Sequence, residues 1–133
     1  DVRKIGSNAL IEIIKQKPNL AEEGWKAIKP LLSDKSHYVR EVASNALIEI
    51  IKQKPNLAEE GLQSIKPLLS DKSPYVRFAA RYTLIEIIKQ MPNLAEEGWK
   101  AIKPLLSAED SDVRVAASNT LIEIIKQKPN LAE

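Results

Sequence analysis

Cysteine is absent from the 133 residues, which excludes disulfide bonds, thiolate metal sites and cysteine nucleophiles. Histidine occurs only at His37, so neither a histidine-rich metal site nor a catalytic histidine pair is available. The four glycines lie far apart and cannot form a phosphate-binding loop. No apolar run exceeds three residues, and no basic segment followed by an apolar one resembles a signal peptide. We therefore expect an intracellular, cytoplasmic protein without enzymatic activity, cofactor or bound metal.

Charge of neither sign dominates the composition. Lys and Arg total 20 against 18 Asp and Glu, which gives a net charge of +2. Apolar residues make up 44% of the chain and charged residues 29%, as is typical of a folded globular protein. This balance does not predict a strongly charged partner.

A repeat organises the whole sequence. The heptapeptide Leu-Ile-Glu-Ile-Ile-Lys-Gln recurs at intervals of 37 residues, and the first and third full units are identical at 29 of 37 positions. Near-identity without any change in length indicates recent duplication or a consensus or de novo design. We predict one domain that consists of a half-repeat at 1–17, three repeats at 18–54, 55–91 and 92–128, and a partial repeat at 129–133.

Each unit has the pattern of two helices, of which the first is the more irregular. Asn19 is a suitable N-cap for this helix, with Glu22 at the spacing of a capping box. Gly24 and Pro30 both lie inside it, so we expect a bend or a broken turn there. Trp25 falls on the same side as the neighbouring Ile and Leu residues, which favours packing in the core over stacking on a ligand.

The second helix of each unit begins after a short polar turn. Ser36, Ser73 and Asp110 are its predicted N-caps, and Pro74 occupies the favourable first helical position in the middle unit. In the first unit the helix is expected to run to about Lys54, where the following proline stops it. Because a helix pair with one apolar flank cannot bury that flank alone, successive pairs must stack.

These repeating residues resemble the HEAT repeat family. The resemblance depends on a group of apolar and charged residues that recurs in each unit. In the first unit these residues are Ile28-Lys29-Pro30-Leu31-Leu32, Asp34, Val39-Arg40, Ala43 and Leu47. It implies an all-α fold: a right-handed α-solenoid of stacked antiparallel helix pairs with a 37-residue repeat and about seven helices. Armadillo repeats share this layout, and the period favours two helices per unit over the armadillo three, although 19–23 could form a separate first helix.

The HEAT resemblance also implies pairs between acidic residues in the turns and arginines in the helices. Asp34 and Asp71 are the best candidates for the acidic partners. In the third unit the turn differs in sequence, so Asp110 or Asp112 would have to substitute. In the family these pairs are structural, and no binding role follows from them.

The second helices have an apolar side and a variable side. At 100° per residue, Val39, Ala43 and Leu47 fall on the core side, together with Ala46 and Ile50. The opposite side differs most between units, and in HEAT-like proteins the second helices line the concave surface. We therefore predict a partner-binding stripe that consists of His37, Glu41, Ser44, Asn45, Ile48, Phe78, Arg81, Tyr82, Ile85, Lys89, Val115, Asn119 and Ile122.

The middle unit concentrates the large side chains of this stripe. Phe78, Arg81, Tyr82 and Ile85 have the spacing of one helix face. Exposed aromatic residues next to an arginine are typical of binding hot spots. Two interpretations remain open. Either the stripe is a shallow apolar groove with a cationic edge, suited to a peptide or helix with apolar anchors and some acid, or the aromatic residues fill the space between adjacent helices.

From these observations we predict a non-catalytic scaffold that binds a peptide or protein through its concave face. The alternative is an engineered or structural repeat scaffold, a fragment of a longer solenoid, that has no specific ligand. Nucleic-acid binding is less favoured, because a glutamate lies three residues before each lysine of the repeated row at 15, 52, 89 and 126. The outer repeats lack the polar faces that cap solenoids, so end-to-end self-association or a longer chain is also expected.

Overall fold

The computed structural model describes the backbone of residues 2–128 and the side chains of residues 9–128. This part of the chain forms seven α-helices and six short 3₁₀ turns. The long helices are α1 (Val2–Gln16), α3 (His37–Gln53), α5 (Pro74–Gln90) and α7 (Ser111–Gln127), and the short helices are α2 (Ala21–Ile28), α4 (Ala58–Ile65) and α6 (Ala95–Ile102). This pattern confirms the predicted all-α solenoid with a 37-residue period.

The helices form two layers. The long helices pack side by side in chain order, α1 on α3, α3 on α5 and α5 on α7, and each short helix packs against the long helices on either side of it in the chain. The buried side chains that join the layers are mostly Ile, Leu and Ala and form one continuous core. The predicted core positions are confirmed: Val39, Ala43, Ala46, Leu47 and Ile50 are all fully buried.

The long helices begin and end where the sequence predicts. Ser36, Ser73 and Asp110 are their N-cap residues. Ser73 Oγ accepts a hydrogen bond from the Val76 N–H, and the Asp110 carboxylate accepts one from the Asp112 N–H. Each long helix ends two residues before a proline. The residue immediately before a proline is restricted to extended conformations and cannot continue the helix.

The predicted capping box at the start of the first helix is wrong. Asn19 lies inside a 3₁₀ turn, Pro18–Leu20, and α2 begins after it with no side-chain cap. The main chain replaces the cap, because the Ala21 N–H donates to the Pro18 carbonyl. Proline starts this turn with a fixed φ and no N–H that would need a partner.

The expected bend occurs at Pro30 but not at Gly24. Gly24 lies inside the regular helix α2, and the helix gives way to a 3₁₀ turn only at Lys29–Ser33, around the proline. The glycine serves close packing instead. At the equivalent Gly98, a Cβ atom would lie 2.6 Å from Cδ1 of Ile88 on the neighbouring long helix, so the end of the isoleucine side chain would have to move to admit it.

The Asp71 carboxylate pairs with an arginine of the preceding repeat, as the HEAT resemblance implies. Arg40 Nε and Nη2 donate to the two carboxylate oxygens of Asp71 at 2.9 and 3.0 Å, and Arg40 Nη1 donates to the Asp34 carbonyl oxygen at 2.8 Å. Asp71 also accepts a hydrogen bond from the Ser73 N–H. The pair therefore joins two consecutive repeats through two hydrogen bonds, and each partner is held by one further hydrogen bond within its own repeat.

The expected substitute in the third repeat does not form. Asp110 accepts a hydrogen bond from its own helix rather than from an arginine, and Ala108 occupies the position that corresponds to Asp71. Arg77, the counterpart of Arg40, donates instead to the main-chain carbonyl oxygens of Asp71 and Lys72. A shift of two residues in this turn is enough to move the carboxylate out of reach of the guanidinium.

Candidate functional site

A cleft of about 400 Å³ separates α5 from α7 in the long-helix layer. We call it the α5–α7 cleft and define it by its lining residues, Phe78, Arg81, Tyr82, Ile85, Asp112, Val115, Ala116, Asn119, Thr120 and Glu123. Six of these belong to the predicted stripe: Phe78, Arg81, Tyr82, Ile85, Val115 and Asn119. The structure thus brings the four stripe residues that share one face of α5 together with two stripe residues of α7.

The walls of the cleft carry large apolar side chains that remain accessible. Phe78 is 66% exposed and Tyr82 52% exposed, and Val115 on the facing helix is also exposed. Ile85 is half-buried and packs against the core. Of the two open interpretations, the aromatic residues therefore do not fill the space between the helices, and they border an accessible cleft.

One substitution between repeats coincides with the position of the cleft. Between α3 and α5 the Oγ atom of Ser44 lies 2.9 Å from Oγ1 of Thr83, in a fully buried contact. The corresponding pair between α5 and α7 is Arg81 and Thr120. A guanidinium side chain does not fit in the space that a serine occupies, and α5 and α7 accordingly contact each other less extensively than α3 and α5. The Thr120 hydroxyl donates to the Ala116 carbonyl of its own helix at 2.7 Å, as the Thr83 hydroxyl does to the Ala79 carbonyl at 2.8 Å.

Two residues of the predicted stripe are not exposed, so this part of the prediction is wrong. Ser44 is fully buried and Ile48 is almost fully buried, because α5 packs directly over both. Helical angles alone place them opposite the core of their own repeat. The error arises because a long helix in this fold is flanked by the next long helix as well as by its short partner.

Arg81 is a cation without a partner. Among residues 9–128 it makes neither an ion pair nor a hydrogen bond. Burial of the side chain, and next the positive charge of Arg77, lower the pKa of the Arg81 guanidinium. It nevertheless stays charged at neutral pH, because the ordinary pKa of arginine lies far above 7.

The remaining stripe residues lie outside the cleft. His37 is at the start of α3, where its ring is 4.1 Å from that of Tyr38 and 6.4 Å from that of Tyr75, centroid to centroid. The other members are half-buried or exposed along the long helices: Glu41, Asn45, Lys89 and Ile122.

The lysine row forms local ion pairs, as its sequence spacing predicts. The lysine Nζ atoms lie 3.0 to 3.8 Å from the carboxylate oxygens of the glutamates three residues earlier. Lys89, a predicted stripe residue, is paired in this way with Glu86. The positive charge of the row is therefore largely balanced on the surface of each helix.

Sequence reasoning missed four residues of the cleft, all on α7. Asp112, Ala116, Thr120 and Glu123 line it together with the predicted Val115 and Asn119. A signal was available for Asp112, Ala116 and Glu123, because each lies three or four residues from Val115 or Asn119 and shares a helix face with it. Their role depends on α7 standing away from α5, which the sequence of α7 does not reveal.

The arrangement suits binding of an amphipathic group. Within the described residues, no group of three or more His, Asp or Glu side chains is placed to hold a metal ion. None of the described helices is both long and apolar enough to cross a bilayer. An accessible apolar cleft with one unpaired cation can bury an apolar side chain and pair with an anion.

Comparison with known proteins identifies the family pattern and the fold. The pattern of the family described as the Adaptin N terminal region matches residues 1–133. A crystal structure of an engineered protein, a structural genomics target, has the same fold with a TM-score of 0.63 and 22% sequence identity. The match covers 95% of this chain and 57% of that one. Among curated proteins, none matches this sequence.

Proposed function

Because this chain belongs to the Adaptin N terminal region family of HEAT-type repeats, we propose that it is a non-catalytic scaffold that binds a peptide or protein. The proposed binding surface is the concave face of the long helices, centred on the α5–α7 cleft. One observation carries the proposal: accessible Phe78 and Tyr82 and the unpaired Arg81 lie together where the repeats differ most in sequence. Aromatic residues and arginine are the side chains that contribute most to binding energy at protein interfaces.

The outlying members of the stripe remain predicted contacts for a partner longer than the cleft. His37, Glu41 and Asn45 would extend the surface along α3, and Lys89 and Ile122 would extend it toward the other ends of α5 and α7. Ser44 and Ile48 are not included, because both are buried. The division into repeats at 18–54, 55–91 and 92–128 and the cytoplasmic location also stay predictions.

Replacing the cleft residues is expected to abolish partner binding. A Phe78→Ala/Arg81→Ala/Tyr82→Ala variant and the wild type would each be immobilised and incubated with cell lysate. We expect at least one protein that the wild type retains and the variant does not, because hot-spot residues each contribute about 2 kcal/mol or more to binding. The retained protein would then be purified and titrated against both forms.

A matched triple variant controls for general effects of substitution. Lys26→Ala/Glu59→Ala/Gln63→Ala changes three exposed residues of the short helices, outside the cleft. It should retain the same proteins as the wild type, at equal helicity by circular dichroism. If the cleft variant and this control retain the same proteins, the cleft is not the binding surface and a structural scaffold without a specific ligand becomes the better interpretation.

Self-association through the third repeat is a second, independent proposal. Apolar residues that are buried in the earlier repeats are accessible there: Leu106 is exposed, whereas its counterparts Leu32 and Leu69 are buried. On α1, Ile13 is likewise exposed although its counterpart Ile50 is fully buried. We propose that these exposed apolar residues, at opposite ends of the stack of helices, form the contact between two copies of the chain.

Light scattering tests this proposal. We expect the mass to rise above the 14.9 kDa of one chain as the concentration increases from about 10 μM to 1 mM. Leu106→Glu should suppress this rise, because it places a charge in the apolar contact. A mass that stays at one chain over the whole range would contradict self-association.

A further inference from the structure

Arg81 brings an unbalanced positive charge into the α5–α7 cleft. Its side chain is half-buried, and within residues 9–128 no carboxylate or carbonyl group pairs with it. A partly desolvated cation without a partner is unfavourable, and an anion that reaches it gains a charge-assisted hydrogen bond. The guanidinium also offers two parallel N–H donors, the geometry that fits a carboxylate.

Arg77, one helical turn earlier, adds a second positive charge beside Arg81. Its counterpart Arg40 has a carboxylate partner, Asp71, but the position that would supply Arg77 with one is Ala108. Like charges four residues apart on a helix repel each other. The missing acid in the third repeat therefore leaves Arg77 without an ion-paired carboxylate of its own, although its charge acts on the Asp71 carboxylate that pairs with Arg40.

The remaining charges of the cleft limit where an anion can bind. Glu123 lines the cleft on the side of Ile85, and its carboxylate is 3.0 Å from the Lys126 ammonium. Asp112 lies at the start of α7, near the Phe78 end of the cleft. Between these two acids the lining is mostly apolar, with Phe78 on α5 and Val115 on α7, but it also includes the amide of Asn119 and the hydroxyl of Thr120. A negative charge is therefore favoured only in the middle, at Arg81, with an apolar group beside it.

We propose that the α5–α7 cleft recognises an acidic segment of a partner protein, with a carboxylate on Arg81 and a neighbouring apolar side chain between Phe78 and Val115. This proposal rests on the proposed scaffold function and specifies the chemistry of the partner. Charge complementarity selects the carboxylate, and the accessible aromatic wall selects the apolar side chain. The low polarity of the walls strengthens the ion pair relative to one on the open surface.

Two capped dipeptides that differ in one charge test the proposal. The probes are N-acetyl-phenylalanyl-glutamate amide and its neutral glutamine analogue, each titrated to about 20 mM into ¹⁵N-labelled protein while amide shifts are followed by NMR. We expect the glutamate probe to bind about tenfold more tightly than the glutamine probe. The shifted amides should lie on α5 and α7 around Arg81 and Asn119.

Arg81→Met and Lys100→Met provide the matched pair of variants. Each removes one positive charge from the protein, but Lys100 is an exposed residue of α6 outside the cleft. Arg81→Met should eliminate the preference for the glutamate probe and retain binding of the glutamine probe, and Lys100→Met should keep the preference of about tenfold. Circular dichroism checks that each variant keeps its helical content. The comparison of the two probes on the wild type is a separate test that needs no variant.

Three results would overturn the proposal: equal binding of both probes by the wild type, an unchanged preference in Arg81→Met, or no binding of either probe. The scaffold function would survive any of these if the cleft triple variant still loses a partner that the wild type retains. Conversely, a clear preference for the glutamate probe without any retained partner would support the carboxylate site and count against the scaffold.

Discussion

Leu69→Ala is expected to lower the free energy of unfolding by about 2–4 kcal/mol, whereas Leu106→Ala should lower it by less than about 1 kcal/mol. The two leucines occupy the same position in consecutive repeats, within the identical segment Ile-Lys-Pro-Leu-Leu-Ser. Leu69 is 2% exposed because the third repeat covers it, and Leu106 is 40% exposed. Removing the first side chain leaves a cavity, and removing the second mainly exposes a surface that was already in contact with water.

Urea denaturation followed by far-ultraviolet circular dichroism measures this difference. Because repeat proteins can unfold in steps, the midpoints of the transitions should be compared as well as the fitted free energies. Leu32→Ala, in the first repeat, is a second buried control and should resemble Leu69→Ala. Equal losses for Leu69→Ala and Leu106→Ala would mean that a partner, such as a second copy of the chain, covers the third repeat in solution.

Asp71→Asn is expected to destabilise the protein by about 2–3 kcal/mol at pH 7, since it leaves the Arg40 guanidinium without its charged partner. The estimate lies below the range for fully buried pairs because 13% of the Arg40 side chain and 10% of the Asp71 side chain are exposed. Asparagine keeps the shape of the side chain, so the change mainly removes the charge.

The pH dependence of this effect follows from the pKa of Asp71. Burial raises that pKa, but the hydrogen bonds from Arg40 and Ser73 and the charges of Arg40 and Arg77 together lower it below the ordinary 3.8. A depressed pKa in the folded state contributes stability that is complete above pH 3.8 and is lost as the pH falls through the folded-state value. The difference between wild type and Asp71→Asn should therefore be constant near neutral pH and narrow below about pH 3.8.

Urea midpoints measured from pH 7 down to about pH 2.5 check this prediction, and the other carboxylates cancel because both proteins contain them. Ala108→Asp is the reciprocal variant, since it offers Arg77 the carboxylate that Asp71 offers Arg40. It should stabilise the protein by up to about 1 kcal/mol at pH 7. If the difference in stability between the wild type and Asp71→Asn is the same at low pH as at pH 7, the proposed role of the ion pair is contradicted.

Local features of the chain were predictable where they depend on neighbouring residues. Pro55 ends one long helix and Pro74 begins another, because proline restricts the backbone wherever it occurs. The glutamate–lysine pairs follow from a spacing of three residues on a helix. The capping box at Asn19 failed for an equally local reason, since the preceding proline starts a 3₁₀ turn whose main chain supplies the hydrogen bond instead.

The site was only partly predictable, because exposure on a solenoid is decided by the neighbouring repeat. Helical angles placed Ser44 and Arg81 on the same stripe, at equivalent positions 37 residues apart. The structure buries the first against Thr83 and leaves the second in an open cleft. Whether an arginine has a carboxylate partner is decided in the same way, because Arg77 lacks the partner that Arg40 has where Ala108 replaces Asp71 in a turn of the following repeat.

The sequence by itself determined the 37-residue period, the all-α architecture, the ends of the long helices and the core side of each helix, because all of these follow from short-range chemistry repeated along the chain. The tertiary structure alone decided which copy of each repeated residue is buried, where the long helices separate, and which arginine has a partner. Identical segments acquire different environments when they stack, since burial and pairing depend on the atoms that the next repeat contributes.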